Sequence, residues 1–86
     1  MTGQLSNGAS DVVDAATRVA GTVAARGRGD IDGARELLAS FGSHEELASG
    51  ALLVAELALQ ALSDSNGEPL DDCVELLNLR LLSLRG

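Results

Sequence analysis

The 86-residue chain carries 13 acidic and 6 basic residues, a formal charge of −7, and one aromatic side chain. A duplex nucleic-acid binder gains most of its affinity by neutralising phosphates, and this chain would repel them. With one Phe and no Tyr or Trp it also lacks stacking platforms for single strands. One cysteine and one histidine exclude an intrachain disulfide and a Cys/His zinc site within a single chain.

Residues 1 to 9 are polar and glycine-containing, and are expected to form a disordered arm. This stretch has neither a basic start nor a long apolar core. With the lone thiol it points to a cytoplasmic protein without a secretory signal. Residues 10–86 are expected to form a single helical domain, since so short a chain holds one domain at most. Helix 1 is predicted over about 11–26, with Ser10 as N-cap and Val12, Ala16, Val19 and Val23 on one face. Gly27 can end it in a left-handed conformation.

Helix 2 is predicted over about 31–41, with Asp30 as N-cap and Ile31, Ala34, Leu37, Leu38 and Phe41 on one face. Ser43 and Glu46 form a capping box that opens helix 3, over about 44–62. The polar run 63–68 reads as a loop. Pro69 then suits the first turn of helix 4, over about 69–84, where Asp71 and Asp72 meet the positive end of the helix dipole. No segment has a strand period. The expectation is an all-α fold, a compact bundle of four helices joined by short loops.

Helix 3 contains ALLVAELALQAL, 51–62, interrupted only by Glu56 and Gln60. At ~100° per residue, Glu45, Ser49, Glu56, Gln60 and Ser63 share one narrow strip. Small residues, Gly50, Ala51, Ala58 and Ala61, lie opposite. A helix apolar around most of its circumference belongs in the interior of a bundle, and helix 3 is expected to be its central element. A membrane span needs ~20 apolar residues, more than the fifteen or so of 48–62. In helix 4, Leu70, Cys73, Val74, Leu77, Leu81 and Leu84 form the expected core face. Leu76, Leu79 and Leu82 project to the other side. Three leucines at i, i+3 and i+6 on a nominally wet face suggest a contact surface.

Motifs for chemistry fail on spacing. GRGDIDG, 27–33, follows a helix, places its third glycine one residue late, and sets two aspartates where phosphate would bind. Read as calcium loops, 28–39 and 62–73 lack oxygen ligands at their first and last positions. Asp71, Asp72 and Glu75 are better explained by the helix dipole than as an acid–base set. Cys73 reads as a buried inert thiol and His44 as a solvated side chain. GDIDGARELL, 29–38, resembles the second helix of a tetratricopeptide hairpin over about ten residues. The aromatic and proline positions of that family are not met, and one such hairpin cannot form the array the family needs.

The sequence therefore points to a non-catalytic protein–protein interaction module without cofactor or metal. It would self-associate, most simply as a homodimer, or dock on a protein partner. Leu76, Leu79 and Leu82 are the expected contact residues, with Leu53 and Leu57 second. Neither nucleic acid nor a membrane is an expected partner. The alternative is a small acidic regulator or inhibitor, antitoxin-like or a phage-type accessory, masking a basic nucleic-acid-binding protein with its carboxylates.

Overall fold

The computed structural model describes the backbone of residues 2–86 and the side chains of residues 10–86. It contains four helices, α1 (Thr2–Gly27), α2 (Ile31–Ala39), α3 (His44–Asn66) and α4 (Leu70–Arg85), and no strand among the described residues. The protein is all-α, as its periodicity predicts. The chain divides into two compact units, Met1–Val54 and Ala55–Gly86, with the boundary inside α3.

Local signals fixed most helix ends. A full Schellman motif closes α1: Asp30 N–H donates to Ala25 O at 2.9 Å and Gly29 N–H to Arg26 O at 3.0 Å. The left-handed residue is Gly29, φ 79°, rather than the expected Gly27, which is still helical. Asp30 caps α2, its Oδ1 accepting from Gly33 N–H at 2.9 Å. The GRGDIDG segment is thus accounted for as punctuation between two helices. Ser43 caps α3 by accepting from Glu46 N–H at 3.1 Å. Pro69 precedes the first residue of α4, with no side-chain cap.

Three boundaries differ from expectation by more than a single residue. Helix 1 starts at Thr2, so Ser10 is interior to it and is not its N-cap. The expected arm at 1–9 falls on side chains outside the described residues. Helix 2 ends at Ala39, two residues early, where Ser40 Oγ donates to Leu37 O at 2.6 Å. Helix 3 continues to Asn66 through the run read as a loop. Gln60 Nε2 donates to Asp64 Oδ1 at 3.1 Å one turn along, and Gly67, φ 68°, supplies the left-handed stop. Glu68 N–H then donates to Ser63 O at 3.2 Å, the long bond of a Schellman closure.

The first unit is built on small residues. Its buried positions are Ala15, Ala16, Thr22, Ala25, Ala34 and Gly50. Helices α1 and α2 lie side by side, and α3 crosses α1 at Gly50. A Cβ added to Gly50 would stand 2.7 Å from the carbonyl carbon of Ala15, so this close approach admits only glycine. The buried residues of α1 are Ala15, Ala16, Thr22 and Ala25; of the expected face Ala16 is buried, Val12 and Val19 are half-buried and Val23 is exposed. The reason is geometric: backbones this close leave room for alanine and not for valine. Buried Thr22 is satisfied by donating to Arg18 O at 2.8 Å.

The second unit holds the end of α3, the turn 67–69 and α4. Its buried residues are Ser63 and Cys73, one on each side of the turn. Ser63 Oγ donates to Glu68 O at 2.5 Å, tying the turn back on α3. The burial expected around helix 3 is absent at Leu52 and Leu57, which are 62% and 61% exposed.

Candidate functional site

The expected contact residues of α4 are open. Leu76, Leu79 and Leu82 are 45%, 58% and 57% exposed. Of the second choices, Leu57 is exposed and Leu53 half-buried. The expected core face of α4 is open too, contrary to expectation. Leu70, Leu77 and Leu81, at 42%, 40% and 50%, are exposed only somewhat less than the outer leucines, and Leu84, at 82%, is more exposed than any of them. Only Cys73 is buried on that face, with Val74 half-buried. The physical cause lies in the pattern. Leucines on both sides of the helix give no single seam for a neighbour to cover, so burial stops one turn after the α3–α4 connection.

Beyond that turn α4 presents leucines around most of its circumference. Scattered exposed leucines are ordinary, but a helix with Leu76, Leu77, Leu79, Leu81, Leu82 and Leu84 all open forms a continuous apolar surface. Unevenly placed charges border it. Asp71, Asp72 and Glu75 stand in its N-terminal half, Arg80 and Arg85 in its C-terminal half. Cys73 contributes no reactivity here. Burial pushes its thiol up from the ordinary value of 9.0, and the carboxylates of Glu68 and Asp72 push it further.

The first unit has a polar counterpart. Arg18, half-buried on α1, joins three parts of it. Nη2 donates to Glu46 Oε1 at 2.6 Å, Nη1 donates to Ser40 O and Oγ at 3.1 Å, and the guanidinium lies 4.4 Å from the Phe41 ring centroid. Glu46 thereby serves Arg18 instead of completing the reciprocal half of the capping box. The sequence gives no periodic signal for this clamp, because its partners lie 22 and 28 residues from Arg18. Beside it, Asp11, Val12, Ala15, Ser43, Glu45, Glu46 and Ser49 line an open cleft of about 260 Å³.

No cluster of three or more His, Cys, Asp or Glu fit to hold a metal ion occurs among the described residues. Helix α3, lengthened to 23 residues, is now long and apolar enough to cross a membrane, which removes the length argument against a span. Glu56 near its middle remains a cost of ~2.5–3.5 kcal/mol for a carboxylate at bilayer depth. Only 11% of its apolar window is buried. No family model matches the chain, and neither a curated protein nor a solved structure matches it.

Proposed function

We propose that the protein is a non-catalytic interaction module whose apolar helix faces bind another protein surface. The observation that carries this reading is the open leucine surface of α4, with burial in the second unit confined to Ser63 and Cys73. Fully burying a leucine stabilises by ~1.5–3 kcal/mol, so covering even three of these is a substantial driving force for association. Leu76, Leu79 and Leu82 are the contact residues, and exposed Leu57 on α3 is a further apolar position. Acidic side chains elsewhere favour solubility of the free chain and orient a basic partner.

The acidic-regulator reading is second, favoured by the carboxylates of Asp11, Glu45 and Glu46 at the first unit's cleft. The two readings separate in salt and by mutation. Leucine-driven association measured by sedimentation should change little between about 50 and about 500 mM salt, since screening acts on charges and not on apolar burial, and should be lost in Leu79→Glu with helix content unchanged. Association that collapses in salt and ignores Leu79→Glu would overturn the leucine reading.

A further inference from the structure

We propose that Asn66, at the turn between α3 and α4, is a site of spontaneous deamidation, and that its conversion loosens the connection of the two helices. The site does not depend on whether the α4 leucines bind a partner. Asn66 is the last residue of α3, and Gly67 after it takes the left-handed conformation at φ 68°. Both are exposed. A Cβ added to Gly67 would meet nothing within 4 Å, so the turn has open space about it and Gly67 has no side chain of its own in the way. The backbone nitrogen of Gly67 is also unengaged. At the end of α1 the corresponding left-handed residue, Gly29, donates its N–H to Arg26 O at 3.0 Å. At the end of α3 Glu68 N–H donates to Ser63 O, but Gly67 N–H makes no hydrogen bond among the described residues. Asn78 is the contrast: it is interior to α4, and the N–H of Leu79 after it belongs to the helical ladder.

The reaction needs only water. Gly67 N attacks Asn66 Cγ, the N–Cγ bond forms and the Cγ–Nδ2 bond breaks. The side-chain nitrogen leaves as ammonia, taking up the proton lost from the Gly67 amide. Water then opens the cyclic imide. Hydrolysis at Cγ gives aspartate, and hydrolysis at the main-chain carbonyl gives isoaspartate, whose backbone runs through Cγ. Attack requires Asn66 to leave its helical backbone angles, which opens the closure made by Glu68 N–H on Ser63 O and by Ser63 Oγ on Glu68 O. Either product sets a new carboxylate at the negative end of the α3 dipole, between Asp64 and Glu68 in the chain. Isoaspartate also adds a main-chain carbon inside the Ser63–Glu68 closure, so its two bonds lose their register. Ser63 and Cys73 are the buried residues of this unit, and releasing the first opens access to the second.

Peptide mapping of the full chain, aged folded and in urea at one mildly alkaline pH, tests this. Asn66 in the folded chain should convert within about a hundredfold of its rate in urea, the scale of two net hydrogen bonds opened locally. Asn78 should stay intact in the folded chain. Slower conversion of folded Asn66, or conversion of Asn78 at the same rate, would overturn the site. After conversion, Cys73 should react with a thiol reagent about tenfold faster than in the fresh chain, the scale of one net hydrogen bond lost. Asn66→Gln, whose longer side chain closes an imide ring slowly, should keep its thiol protected when aged alongside. Equal thiol reactivity in the aged wild type and aged Asn66→Gln would overturn the loosened connection.

Discussion

The two units of this chain solve the problem of a small core in opposite ways. In Met1–Val54 small side chains bring backbones together, and one arginine ties α1 to the α2–α3 connection. In Ala55–Gly86 large side chains are plentiful, and almost none is covered. Apolar content therefore does not measure burial. Alanine and glycine at a close crossing build a core with little hydrocarbon, whereas leucines on every side of a helix build none until a second surface arrives.

Substitutions sharpen the contrast. The largest effect is expected at Gly50. Gly50→Val should destabilise the first unit by ~3 kcal/mol or more in denaturant unfolding, because even the first carbon added meets the Ala15 backbone at 2.7 Å. Arg18→Ala should cost ~1–2 kcal/mol, the sum of a partly exposed ion pair, a cation–π contact and hydrogen bonds to Ser40. A cost near zero would mean that the clamp adds nothing to stability. Leu81→Ala and Leu79→Ala should each change the stability of the single chain by under ~0.5 kcal/mol. A loss of ~2–5 kcal/mol at Leu81 alone would restore the core face that periodicity suggested.

The smallest effect concerns pH. The Cys73 thiol is held up by burial and by Glu68 and Asp72, so the folded chain resists its ionisation. Stability is untouched by this group below the ordinary value of 9.0, and falls as pH rises beyond it. Cys73→Ala should remove that alkaline slope. A slope that survives the substitution would assign it to other groups.

Much of the fold was legible because its signals are local. Asp30 and Ser43 cap within one turn of the chain and were readable directly, whereas the left-handed stop of α1 fell at Gly29 rather than the expected Gly27. The extension of α3 to Asn66 was hidden because Ser63, Asp64, Ser65 and Asn66 have loop composition, while the side-chain bond from Gln60 to Asp64 and the closure at Gly67 hold them helical. Burial was less legible. Periodicity places Leu70, Leu77 and Leu81 on one face of α4, but a face becomes a core only if something lies against it. The Arg18 clamp was invisible for the same reason, since its partners are distant in sequence. The outer leucines were found from the sequence. That the inner ones are also exposed was not.

Backbone hydrogen exchange, read segment by segment at a concentration where the mass is that of one chain, tests the contrast most directly. The expected result is strong protection at Ala15–Ala25 and much weaker protection at Leu76–Leu84, where the leucines are exposed. Equal protection of the two segments in the single chain would contradict the account.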